Sequence, residues 1–275
     1  NNMKNNLAIS LLTLGNMEKI DDFLEILYNK NINYLEIPLT KILDSYYFDK
    51  NKLDNFLNKI KKNSIQVSSI QSIFYKKENL NIFNESNHNE ILDHLLNVSE
   101  ISNYIGAKNI IFGSPINRKL NNLVRKDVEN IAINLFKKIS LLCIEKNLFF
   151  CIEPNAKIYG CDYINNINQA IEFVKKVSSP NILINADTGN ISLENDDLSK
   201  VSKFKKLFAN FQISEKNLTS LENSIIDHKK ILNNFKIDKQ KISLETLNLE
   251  FNKIEDNIDL FKKIIKNHPD YSNEN

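Results

Sequence analysis

The stretch LFFCIEPNAKIYG, residues 148–160, sets five apolar residues in a row directly against a glutamate, a proline and an asparagine. A strand buried on both faces reads as an unbroken apolar run, and polar residues begin where it surfaces. Glu153 is then either an ordinary strand-end charge or a carboxylate aimed into a site. The rest of the chain decides between the two.

Seven further runs have the same character: 7–14 (LAISLLTL), 33–40 (NYLEIPLT), 65–74 (IQVSSIQSIF), 107–115 (AKNIIFGSP), 181–189 (NILINADTG), 207–214 (LFANFQIS) and 241–247 (KISLETL). Between them lie segments of helical period. Ile20, Phe23, Leu24, Leu27 and Tyr28 follow i, i+3, i+4, i+7, i+8 after the first run, and Ile167, Ala170, Ile171, Val174 and Val177 do much the same after the fifth. Eight strand–helix units argue for an α/β chain folded as a single (β/α)8 TIM barrel over residues 1–275, closed by a last helix near 252–267. An open doubly wound sheet competes, but no G-x-G-x-x-G follows the first strand.

Composition narrows the function classes. The chain is 42% hydrophobic and 25% charged, the make-up of a globular protein with a substantial core. A net charge of +2 gives neither a nucleic-acid nor a membrane surface. No apolar run approaches the roughly 20 residues of a membrane span, and no signal-peptide pattern opens the chain. Cys143, Cys151 and Cys161 cannot all pair, so a reducing cytoplasm is expected. Arginine occurs only at 118 and 125 in a lysine-dominated chain.

Side chains alternate along a strand, so each run divides into two faces. In the fifth, Phe150 and Ile152 oppose Cys151, Glu153 and Asn155; in the sixth, Ile184 and Ala186 oppose Asn185, Asp187 and Gly189. In the seventh, Phe211 and Ile213 oppose Asn210, Gln212 and Ser214; in the eighth, Ile242 and Leu244 oppose Ser243 and Glu245. The apolar sets belong under the helices, and the polar sets converge at the C-terminal mouth, where sites of this fold are built. Glu153, Asp187 and Glu245 brought together would repel and raise one another's pKa. A divalent cation removes that difficulty, and oxygen ligands, with Gln212 as the fourth, suit Mn²⁺ first, with Mg²⁺ or Co²⁺ as alternatives. For a single residue a solvated strand-end charge would be the simpler reading; four successive strands favour a metal site.

At these residues the chain resembles the xylose isomerase-like TIM barrel superfamily, which includes sugar isomerases, ketose 3-epimerases, dehydratases and endonuclease IV. It is also similar to a narrower group of sugar phosphate isomerases/epimerases through SSIQSIF, FGSPINR, EPNAKIYG, NADTGN and FQISEKNL. The order Glu, Asp, His-or-Gln, Glu on strands five to eight matches the superfamily's metal ligands at Glu153, Asp187, Gln212 and Glu245. The resemblance implies an enzyme acting on a sugar or sugar phosphate by proton transfer next to a carbonyl through an enediolate. Glu153 and Glu245 would serve as both ligands and acid–base groups. Two departures stand out: the strand-seven ligand is usually histidine where this chain has Gln212, and the histidine of many epimerases three residues after the aspartate is Asn190 here.

The remaining site candidates are substrate contacts. Arg118 can clamp a carboxylate or phosphate, and Asn155 and Tyr159 flank the site on the loop after Glu153. Gln71 and Glu36 end inward-facing strand positions, and Glu215 follows strand seven. His228 starts a helix behind Asp227, a natural N-cap, and is either a substrate contact or an exposed first-turn residue. His88, His94 and His268 read as structural or exposed. A dehydratase of a polyol or cyclic ketone, and a barrel that has lost catalysis, remain alternatives. An endonuclease IV activity conflicts with only four histidines and the near-neutral charge. The expected partners are a small sugar and, as in many relatives, further copies of the chain.

Overall fold

Each apolar run contributes one strand. A computed structural model describes residues 6–266 and 268–271. The strands are β1 (Leu7–Ser10), β2 (Tyr34–Pro38), β3 (Gln66–Gln71), β4 (Asn109–Phe112), β5 (Phe149–Ile152), β6 (Ile182–Asp187), β7 (Phe208–Ile213) and β8 (Lys241–Leu244). They lie parallel in sequence order, and β8 pairs back onto β1 to close an eight-stranded barrel. This is the expected (β/α)8 architecture.

The helices are α1 (Ile20–Asn29), α2 (Lys50–Lys62), α3 (His88–Ile105), α4 (Arg125–Lys146), α5 (Ile167–Val177), α6 (Thr188–Glu194), α7 (His228–Leu232) and α8 (Ile254–Lys266). Side-chain caps start several of them: Asp49 accepts from the Lys52 N–H, Asn166 from that of Gln169 and Asp227 from that of Lys230. Such caps satisfy backbone donors that the first helical turn leaves free. Helix α3 ends at Gly106, whose φ of +83° a residue with a Cβ adopts only with strain. Among the described residues no helix is long and apolar enough to cross a membrane.

The apolar strand faces pack under the helices as the alternation predicts. Phe112 of β4 and Phe150 of β5 stack at 5.5 Å, and Phe136 of α4 meets Phe150 at 5.6 Å and Phe173 of α5 at 4.8 Å. All four rings are fully buried. They lock α4 and α5 against the strands that carry Glu153 and its neighbours. Two irregularities in strand register pair Leu35 and Glu36 with Val67 and Ser69, and Ile184 and Asn185 with Phe208 and Asn210, so the extra residues are Ser68 on β3 and Ala209 on β7. A bulge re-aims the side chains beyond it on its own strand, here Ser69 and Asn210, both of which bond Glu36.

Phe136→Ala should remove the centre of the ring cluster and cost about 3–5 kcal/mol of unfolding free energy. Chemical denaturation of the two proteins measures it. A loss below about 1 kcal/mol would mean that the cluster does not anchor these helices.

Candidate active site

The polar strand faces build the barrel interior from the bottom up. Glu36 is fully buried there and accepts from Ser69 Oγ at 2.7 Å, from Asn210 Nδ2 at 3.2 Å and from Gln212 Nε2. Asn210 also donates to Asn185 Oδ1 at 2.9 Å. The Asn185 amide then spans upward, donating to Gln212 Oε1 at 2.5 Å and to Glu153 Oε2 at 2.6 Å. A continuous amide–carboxyl network thus runs from β2 through β7 and β6 to the tip of β5.

The tips of β5, β6 and β8 meet at a cavity of about 190 Å³. Glu153, Asn155, Asp187 and Glu245, which share the polar strand faces, line it together with Tyr159 of the following loop and Asn190 of α6. The cavity also takes Ser214, from the polar face of the seventh strand, and Pro115, Asn217 and Leu218, which the sequence did not point to. Gln212, Gln71 and Glu36 lie beneath or beside this wall, and all three are buried.

Each carboxylate is held by its own neutral donors. Asn155 Nδ2 reaches Glu153 Oε1 at 2.7 Å, and Asn190 Nδ2 reaches the same oxygen at 3.4 Å. Gln71 Nε2 donates to Glu245 Oε1 at 3.0 Å, and Ser10 Oγ holds the Gln71 carbonyl in turn. Asp187 caps α6: its Oδ1 accepts from the Asn190 N–H at 2.8 Å, while its Oδ2 is buried without a partner. A Cβ on Gly189 would stand 2.4 Å from Ser214 Oγ and 2.8 Å from the Ser214 carbonyl, so only glycine lets the first turn of α6 lie this close to β7.

Burial and mutual repulsion dominate the electrostatics. Burial, with the nearby Asp187 charge, pushes the Glu153 carboxyl up to about 8. Burial, then Glu153, Glu36 and Asp187, holds Glu245 well above the usual carboxylate range. Burial raises Asp187 and Glu36 too, against the hydrogen bonds that favour their ionised forms.

Arg118 is neither on the surface nor on the cavity wall. It is fully buried, and its Nη2 donates to the Glu153 carbonyl at 2.6 Å and to Asn155 Oδ1 at 2.7 Å. It therefore orients Asn155, whose amide holds Glu153. His228 is buried rather than exposed, bonded through Nδ1 to Thr188 Oγ1 at 2.8 Å and through Nε2 to Glu215 Oε1 at 2.7 Å. Glu215 and His228 thus brace α6 against α7, outside the cavity lining. His88, His94 and His268 are all buried, with Nε2 on the carbonyls of Ile82, Ile73 and Leu232. Asn185 and Asn210 stand on the inward polar faces, but the sequence assigned them no role. They lie two residues before Asp187 and Gln212 on the same strand faces, which is the period of the inward set.

Among the described residues no group of three or more histidine, cysteine, aspartate or glutamate side chains is arranged to hold a metal ion. Glu153, Asp187 and Glu245 share a cavity, but each is held by amide or backbone donors of its own. The donor chemistry nonetheless suits a hard cation: three carboxyls on one wall that repel one another, one of them with a buried oxygen that has no partner.

The chain belongs to the xylose isomerase-like TIM barrel family, whose match covers residues 24–264. Among solved structures it is similar to an IolI protein with a bound zinc atom, at 18% identity over 97% of this chain and 98% of that one, with a TM-score of 0.72. It is similar to D-psicose 3-epimerase from Clostridium cellulolyticum H10, determined with D-tagatose, at 12% identity over 95% and 92%, TM-score 0.72. It is similar too to a family 2 AP endonuclease from Brucella melitensis, at 15% identity over 94% and 98%, TM-score 0.75. At these identities the likeness shows the fold. No curated protein matches the chain at a significant level.

The raised carboxyls make stability depend on pH. In the folded chain Glu153 holds its proton up to about 8, against 4.5 for an ordinary glutamate. The stabilisation is complete below the unfolded value and is lost as pH rises through the folded one. Chelator-treated protein should therefore melt at a lower temperature at pH 8.5 than at pH 5.5, and Glu153→Gln should shrink the difference. A melting temperature that is flat or rises over this window would contradict the burial of the cluster.

Proposed function

We propose that the protein is a metal-dependent sugar isomerase or epimerase that moves a proton next to a carbonyl. The single observation that carries this reading is the pair of carboxyls, Glu153 and Glu245, on the wall of one small cavity. Glu153 takes the proton from the carbon beside the carbonyl, and Glu245 delivers one from the other side for epimerisation. Asn155, held by Arg118, keeps the Glu153 carboxyl in place while it exchanges its proton. Asn190, Ser214, Asn217 and Tyr159 on the wall supply neutral hydrogen-bonding groups for sugar hydroxyls.

Glu153, Asp187 and Glu245, with the Gln212 carbonyl, would hold a divalent cation, Mn²⁺ before Mg²⁺ or Co²⁺. Such a cation stabilises negative charge on the substrate oxygen. The buried Asp187 Oδ2 without a partner supports this assignment. Burial of Cys143, Cys151 and Cys161 as free thiols supports a reducing, cytoplasmic setting.

Incubating the Mn²⁺-supplied protein with a panel of ketoses in D₂O should give a product of unchanged connectivity mass, with deuterium at the carbon beside the carbonyl. Glu153→Gln and Glu245→Gln should each lower turnover by more than roughly 10²-fold, since an amide cannot take the proton. A product lighter by one water would assign a dehydratase instead. Full activity in both variants would rule out the two-carboxylate mechanism.

A further inference from the structure

The end of the barrel opposite Glu153 holds a larger hollow, of about 580 Å³. Residues at the strand starts floor it: Tyr34 of β2, Val67 of β3, Phe149 of β5, Leu183 of β6 and Phe208 of β7. Lys108, Lys206, Lys239 and Lys241 also line it, and no aspartate or glutamate does. We propose that this hollow binds a nucleoside monophosphate, with its base on the apolar floor and its phosphate among the lysines. The proposal goes beyond the carbohydrate reading and does not depend on it.

The four cations are available to a ligand. None of them forms a salt bridge with a described carboxylate. Lysines in the last turn of a helix complement its dipole, and Lys206, near the end of the short helix at 201–207, answers to that description. The other three do not. Lys108 lies two residues past the Gly106 that ends α3, Lys239 lies between α7 and β8, and Lys241 is the first residue of β8. Lys241 is half-buried, with its Nζ 2.8 Å from Asn6 Oδ1 and 3.9 Å above the Tyr34 ring. Both partners are neutral, so its charge is left for an anion.

Floor and rim together select the ligand class. A bare inorganic anion leaves the apolar floor uncovered, and an uncharged molecule leaves the lysines without counter-charge. A phosphate monoester carries close to two negative charges at neutral pH, which suits several dispersed ammonium groups better than a single carboxylate does. A nucleobase is flat and stacks on aromatic side chains, and the half-buried rings of Tyr34 and Phe149 lie on the floor. Its polar edge needs hydrogen-bonding groups. Asn109, buried in the same lining, takes the Cys151 thiol on Oδ1 at 3.9 Å, and its Nδ2 meets no described acceptor. The volume falls within the roughly 300–1,000 Å³ of small-ligand sites.

The test is calorimetric titration of the full chain with AMP, GMP and UMP, with and without Mn²⁺, beside adenosine, inorganic phosphate and decanoate as separate probes. At least one nucleotide should bind about tenfold or more tightly than adenosine and inorganic phosphate, equally in both conditions. Lys241→Gln should weaken it about tenfold, and so should Lys108→Gln combined with Lys206→Gln. The latter two positions are exposed, so that variant keeps the fold. Lys216→Glu, exposed after β7 at the other end of the barrel, should change nothing. Failure of all three nucleotides to bind overturns the proposal, as does an affinity unchanged in the lysine variants. Binding that requires Mn²⁺ would place the nucleotide at the carboxyl cavity and overturn it too. Inorganic phosphate as tight as the best nucleotide would show that the floor contributes nothing, and decanoate tighter than every nucleotide would assign the hollow to an acyl anion; either result contradicts the proposal.

Discussion

Everything at the mouth of this barrel rests on a carboxyl buried below it without a cation. Glu36 is fully enclosed, and the groups that hold it are a serine hydroxyl and the amides of Asn210 and Gln212. An isolated buried charge is costly, so the group is forced toward its protonated form or toward dense neutral hydrogen bonding. Both respond to the same constraint. Because Gln212 gives its Nε2 to Glu36, its carbonyl oxygen is left to accept from Asn185. That choice propagates: Asn185 bridges Gln212 and Glu153, Asn155 holds the other Glu153 oxygen, and Arg118 holds Asn155. The orientation of the Glu153 carboxyl is the last link of a network that starts on β2.

The glutamine at 212 takes its meaning from this network. A histidine there would present one nitrogen to Glu36 and the other upward. A carboxamide divides the same way, with its N–H₂ down on Glu36 and its oxygen up. The polarity of the position is kept, with the acceptor on the Asn185 side now a carboxamide oxygen. Asp187 shows the same division of labour. One oxygen caps α6 and the other is left buried without a partner, so the helix start itself aims the carboxylate.

Much of this was legible in the residues. Eight apolar runs with helical period between them define the barrel, and the two-residue alternation around Glu153, Asp187, Gln212 and Glu245 places them inside it. Alternation says which face a side chain takes, but not what it meets across the barrel. The partnership of Glu36 with Gln212 spans 176 positions in sequence, and nothing local announces it. Arg118 misled for a related reason. Its position just after β4 puts it near the mouth, yet the short turn at 116–118 swings the side chain behind Asn155, where it braces the site and does not face it. His228 likewise starts a helix as its N-cap predicts, while burial against Thr188 and Glu215 is a tertiary matter.

The central proposal is that Glu153, Asp187, Gln212 and Glu245 together hold one hard cation. Electron paramagnetic resonance titration of Mn²⁺ into chelator-stripped protein tests it most directly, with Asp187→Asn as the comparison. The account predicts one tightly held equivalent per chain in the wild type and a large loss of affinity in the variant, whose amide weakens the one donor with no other partner. Absence of bound Mn²⁺ in the folded wild type, or equal affinity in the two proteins, would contradict it.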